Sequence, residues 1–303
     1  MPRASEGKRK APRHRGKALL EASMDATLPI RRAGRRTARR GAHSPALRVA
    51  ARCGFVARGV IYLLVGVLAL RIAFGDSGGQ ADRGGALAEV AGRPLGTPSL
   101  WALGLGLAGM ALWRLSEALF GASGPDGHKP AQRLLALGRF LFYATVSSSV
   151  LAFAAGSKGD GSGASDRQSR DATAAALELP GGPWLVAAAG AGVAAVGVGI
   201  AVRALLRTFH KNLRRDALSR RSRQLVDVLG VSGGVARGCV FAAAGAFAVT
   251  AAVRHDPGRA KGMDDTLRSF ADTPAGPWLL ALIAAGLALF GLFSFAMARW
   301  RKV

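Results

Sequence analysis

Few side chains in this chain could do chemistry, and the most conspicuous are arginines at the mouths of apolar stretches. Arg58 and Arg237 stand in a recurring string, Gly54-Phe-Val-Ala-Arg-Gly59 and Gly233-Gly-Val-Ala-Arg-Gly238. Each is placed about one helical turn inside an apolar segment, where an arginine can snorkel to anionic headgroups or take part in a polar contact within lipid. The second use would make a paired cationic site or an ion pair between segments. Glu117 and Asp227 are the acids placed to answer them, so Arg58, Arg237, Glu117 and Asp227 are the candidate functional residues.

Other chemistry is thinly represented. No acid lies in the middle of an apolar stretch, which argues against a proton-coupled pump, since such a device needs a buried relay. The histidines, at 14, 43, 128, 210 and 255, fall in tails or loops and read as solvated. Cys53 and Cys239 offer neither a disulfide framework nor metal-ligand spacing and read as small packing residues. Ser147-Ser148-Ser149 is the notable polar patch inside an apolar run, and serines there commonly bond back to their own helix. Gly104-Leu-Gly106-Leu-Ala-Gly109 spells the dinucleotide fingerprint, but no strand precedes it and no βαβ unit surrounds it. The sequence therefore assigns no catalytic, cofactor-binding or metal-ligating residue, and no enzymatic activity is expected.

The elements that position these residues follow from composition. Half of the 303 residues are hydrophobic, while 42 Lys and Arg face only 18 acids. The two properties are segregated: apolar blocks alternate with basic connections. A helix needs roughly 20 apolar residues to cross a bilayer. Six stretches qualify, predicted at 55–75, 98–120, 134–156, 183–206, 231–253 and 277–298. Six apolar stretches of that length leave no polar helix faces to meet water. The expected fold is all-α and polytopic.

Charge gives an expected orientation. The tail, the connections after the second and fourth spans, and the C-terminus carry 32 of the basic residues with 7 acids. The alternate loops carry 10 basic residues with 11 acids. By the positive-inside rule both termini are cytoplasmic, in a multi-pass protein of the cell membrane.

The spans also repeat. Besides the arginine string, Gly182-Pro-Trp-Leu185 recurs as Gly276-Pro-Trp-Leu279, and Gly192 and Gly197 match Gly286 and Gly291 at the same offset. Gly96-Thr97-Pro98 and Gly106 hold these places in the first unit, and Gly138-Arg139-Phe140 is a degraded form of the opening string in the second. Three tandem two-helix units of parallel orientation result: 50–121, 134–208 and 228–302, after a polybasic tail over 1–49 expected to be disordered. Each outer loop carries a short helical piece, Gly85–Ala91, Ala172–Leu179 and Asp264–Ala271, read either as an interfacial amphipathic helix or as a packed surface turn.

The opening string, the Gly/Pro/Trp corner and the exit Trp113-Arg114-Leu115-Ser116-Glu117-Ala118 resemble the family named domain of unknown function 1206. The likeness covers about 50–302 and implies a bacterial six-span protein of three tandem repeats, of a kind common in actinobacteria. It implies no activity. The second unit departs from the pattern, with Phe142 and Tyr143 where Arg-Gly stands in the others.

Two functions are compatible with these residues. The first is a structural or interaction role, in which the basic inner face, through the tail, binds anionic inner-leaflet lipids or an acidic protein partner. Nucleic acid is a poor fit for that tail, which lacks interleaved aromatics and a binding fold. Translation starting at Met24 would remove half of the tail. The alternative is a passive channel or small-solute carrier formed between the three repeats. A polar cavity there, lined by Arg58, Arg237 or the serine cluster, separates it from a dry Gly/Ala-packed centre.

Overall fold

The computed structural model describes residues 45–75, 80–121, 130–157, 164–213 and 219–301. The expectations for the tail before Pro45 and for a start at Met24 lie outside them. The described residues form nine α-helices and no strand. Six are long and apolar enough to cross a membrane: α1 (Pro45–Ala73), α3 (Gly96–Phe120), α4 (Pro130–Ala154), α6 (Gly182–Leu205), α7 (Arg220–Arg254) and α9 (Gly276–Trp300). Three short ones lie between them: α2 (Arg83–Ala91), α5 (Ala164–Leu177) and α8 (Met263–Ala271). The chain is a multi-pass membrane protein whose outward faces carry Leu105, Leu112, Leu141, Val196 and Leu282, as lipid requires.

The helices overrun the predicted spans at the basic side. α1 starts at Pro45 and α7 at Arg220, where an apolar window begins only at 55 and 231. Helical hydrogen bonding continues into the polar region because nothing there breaks it. Ser219 caps α7 with its hydroxyl, which accepts from Ser222 N at 3.2 Å.

Each unit turns from short helix to second span by one recurring corner. Gly96, Gly182 and Gly276 each donate their amide to the carbonyl three residues back (Arg93, Leu179 and Thr273) at 2.9, 2.7 and 2.7 Å. The intervening prolines, Pro94, Pro180 and Pro274, break the first helix and set the chain up for the next.

Glycines decide how the spans meet. A Cβ at Gly59 (α1) would stand 3.0 Å from the Gly291 carbonyl of α9, and one at Gly238 (α7) 2.7 Å from the Gly197 carbonyl of α6. These crossings join one unit to the next. Within a unit, a Cβ at Gly54 would meet the Gly106 carbonyl of α3 at 2.8 Å, and one at Gly233 would meet Phe290 N of α9 at 2.5 Å. Such approaches let backbones pack where no hydrophobic force pulls helices together.

The packed neighbours are α1 with α3, α3 with α4, α6 with α7, α7 with α9, and α9 with α1. A closed ring of six would need one more pair, α4 with α6, the two spans of the second unit. These two barely touch. The ring is open there, and Gly138 and Gly192, the counterparts of Gly54 and Gly106, have nothing within 4 Å of the Cβ they lack.

Candidate binding chamber between the repeats

The opening string places its three key residues on three faces. Its first glycine faces the partner span of the same unit and its last glycine faces the neighbouring unit. The arginine between them points into the space where the three units meet. On α1, Arg58, Ile61, Tyr62 and Val65 line that space; on α7 the matching Arg237, Val240, Phe241 and Ala244 do so. The spacing i, i+3, i+4, i+7 is one helical face. α4 contributes Phe142, Tyr143 and Val146, with Phe142 at the place of the two arginines. The result is a chamber of about 350 Å³, of the size that holds a small molecule.

The two arginines converge on one ring. The Arg58 guanidinium lies 5.2 Å and that of Arg237 5.1 Å from the Phe290 centroid. Arg58 Nε donates to Ser294 Oγ at 3.1 Å and its Nη1 to Tyr143 Oη at 3.3 Å, so it links all three units. Arg237 is surrounded by the rings of Tyr62 (5.6 Å), Phe241 (5.2 Å) and Phe290. Its buried Nε has no protein acceptor among the described residues. Aromatic faces and hydroxyls stabilise a cation without neutralising it.

The predicted carboxylate partners are engaged elsewhere. Glu117 pairs with Arg114, three residues before it on α3, at 2.5 Å. Asp227 lies 2.6 Å from His210 Nε2 and 3.7 Å from Arg207, closing the turn between α6 and α7. No ion pair joins either acid to Arg58 or Arg237 among the described residues. His210 is thus a packed partner with a side chain only 12% exposed, not a solvated loop residue.

The serines divide. Ser147 Oγ donates across to the Gly104 carbonyl of α3 at 2.9 Å, whereas Ser148 bonds back to the Thr145 carbonyl of its own helix as expected, and neither lines the chamber. Ser149 accepts from Arg83 at 3.3 Å. Cys53 and Cys239 are exposed on the bundle surface and do not fill the interior as predicted.

The short helices roof the chamber, and buried aspartates interlock them. Asp82, 0% exposed, caps α2 by accepting from Gly85 N at 2.7 Å. Asp264 accepts from Ala81 N at 2.7 Å and pairs with Arg268 at 2.8 Å, tying the third unit to the first. Asp166 accepts from Asp265 N at 3.3 Å, and Arg170 pairs with Asp265, tying the second to the third. Carboxylate oxygens of Asp166, Asp264 and Asp265 approach within 4.8 Å, but these bonds account for their meeting. Burial, reinforced by the neighbouring carboxylates, raises the Asp166 carboxyl to about 6. Leu267 of α8 is fully buried, so that helix is packed onto the bundle and does not float at the interface. From the roof, Arg83 and Lys261 add positive charge to the lining and Asp82 a single negative one.

The threefold pattern has a match among known proteins. A model of a domain of unknown function, DUF1206, fits three tandem stretches, residues 53–121, 136–207 and 232–301. The chain belongs to the DUF1206 family. A relative in Bacillus subtilis (strain 168), the uncharacterised protein YxxB, is 29% identical over 248 residues, covering 80% of this chain and 87% of its own. No solved structure matches. Family membership thus accounts for the three hairpins and assigns no role to the chamber they enclose.

Proposed function

We propose that this protein binds an anionic small molecule in the chamber between its three repeats. One observation carries the reading: Arg58 and Arg237 line a single chamber between the spans, and among the described residues no carboxylate forms an ion pair with either. A desolvated guanidinium without a counter-ion is costly, and an anion that accepts from it recovers much of that cost. Four cationic side chains against one acid in the lining point the same way. Of the two functions compatible with the sequence, the chamber favours a solute-handling protein over a purely structural one.

The charge distribution supports two further parts of the reading. The termini face the cytoplasm across the cell membrane, because the basic connections gather on their side. The polybasic tail is drawn to anionic inner-leaflet lipids or to an acidic protein partner.

The test is thermal unfolding of the purified full chain, followed by tryptophan fluorescence, in chloride, sulfate, inorganic phosphate or octanoate. A saturable rise in Tm with at least one anion, lost in Arg58→Gln/Arg237→Gln and kept in Arg58→Lys/Arg237→Lys, is expected. No anion-dependent rise, or one indifferent to both arginines, refutes the reading.

A further inference from the structure

The open side of the ring says where such an anion comes from. Five of the six neighbouring span pairs are packed, and the unpacked one, α4 with α6, flanks the chamber. Phe142 of α4 and Val193 of α6 both line the chamber, yet they are 50% and 41% exposed. A residue that lines a cavity and is also open on the surface marks a place where the two communicate. Val193 is about halfway along α6, so this communication is with hydrocarbon and not with water.

The chemistry of the wall changes across the chamber in the same direction. The side formed by α1 and α7 carries Arg58 and Arg237. The open side carries Phe142 where the repeat would place a third arginine, together with Val146 and Val193. One side suits an anionic head and the other an apolar chain. The glycines agree: Gly138 and Gly192 retain the small side of a packed hairpin, but the hairpin is splayed.

We infer that the ligand is an anionic amphiphile of the bilayer, admitted sideways between α4 and α6. Its phosphate or carboxylate sits at Arg58 and Arg237, and its acyl chain leaves past Phe142 and Val193. This rests on the anion-binding reading above and names its ligand class. A free phosphate shares the head-group chemistry, so the two sources have to be separated by experiment.

Native mass spectrometry of the delipidated full chain does so, with phosphatidylglycerol, phosphatidylcholine or inorganic phosphate added in turn. The variants are Arg58→Gln/Arg237→Gln, its Lys/Lys counterpart as folding control, and Val193→Trp, which fills the opening between α4 and α6. Expected is one phosphatidylglycerol retained in preference to phosphatidylcholine, weakened about ten-fold or more by the Gln pair, since charge-assisted hydrogen bonds are lost. Val193→Trp should weaken the lipid similarly, because the indole occupies the path of the acyl chain. Phosphate bound through the arginines with no retained lipid would overturn lateral admission but leave the anion site standing. Lipid retained equally by all variants means annular binding only, and it too overturns the inference. Failure of every anion to bind the wild type removes both readings.

Discussion

The open hairpin makes a sharp prediction about glycine. Gly54, Gly138 and Gly233 hold one position in the three repeats, and each is replaced by alanine in turn. At Gly54 the new Cβ would stand 2.5 Å from Met110 Cβ and 2.8 Å from the Gly106 carbonyl; at Gly233, 2.5 Å from both N and Cα of Phe290. Those atoms are fixed to backbone, so helices must part, at a cost of roughly 1–3 kcal/mol for overpacking. Against it stands the roughly 0.5–1 kcal/mol gained when alanine replaces glycine inside a helix. Gly54→Ala and Gly233→Ala should therefore lose up to about 2.5 kcal/mol net, from the difference of those two ranges. At Gly138 nothing lies within 4 Å, so only the gain remains. Gly138→Ala should be neutral to about 1 kcal/mol more stable. Unfolding of the three variants in detergent, by heat or by titration with sodium dodecyl sulfate, ranks them. A Gly138→Ala loss equal to that of Gly54→Ala would show that α4 packs on α6 as α1 packs on α3, and the open side would have to be abandoned.

The aspartate roof, the arginine anchor and the corner tryptophans give three more predictions. With its carboxyl raised to about 6 by burial first and by Asp265, Asp264 and Asp82 next, Asp166 is protonated more readily in the folded state, so its contribution weakens as pH rises from about 4 to about 6. Asp166→Asn should raise Tm at pH 7.5, leave it nearly unchanged at pH 4, and flatten the profile between; an unaltered profile would show that Asp166 is not its source. Ser294, fully buried, accepts from Arg58 Nε at 3.1 Å, so Ser294→Ala should cost about 1–3 kcal/mol in detergent unfolding by leaving a guanidinium donor unmet. Trp184 and Trp278, 83% and 77% exposed in the first turns of α6 and α9, belong at the headgroup level. Lipids brominated near the glycerol should therefore quench their emission more than lipids brominated at the chain ends, as read in variants retaining only these two tryptophans.

What could be read from the sequence was decided by range. The six spans follow from uninterrupted apolar length, and the three hairpins from strings recurring at fixed offsets, because both are written in consecutive residues. Helix ends were less legible: hydropathy stops at the membrane edge, whereas hydrogen bonding in α1 and α7 continues to Pro45 and Arg220. Polar α5 likewise begins eight residues before its expected start at 172, since an apolar pattern is absent from its first turns. Arg58 and Arg237 stand out because they repeat. Their lack of acidic partners is not legible in the same way, because pairing across units depends on how helices rotate. The nearer alternative, Arg114 three residues before Glu117 on one helix, was in plain view. The lipid-facing side of Cys53 and Cys239 had no signal either, since a span is apolar on every face.

Symmetry explains the scaffold, and its lapse in the second unit explains the chamber. Three identical units would place three arginines around one axis, and three unpaired guanidiniums in so small a space would repel one another strongly. Phe142 relieves that repulsion and leaves one apolar wall. The neighbouring Tyr143 replaces the glycine that elsewhere seats the next unit, and its hydroxyl oxygen accepts from Arg58 Nη1 at 3.3 Å instead. The second hairpin thus gives up a cation and a close crossing and gains an anchor for the remaining arginine. Its two spans no longer close on each other, although the glycines for closure remain at 138 and 192. A ring packed tightly at five seams and loose at the sixth concentrates its freedom of movement where the chamber meets the lipid.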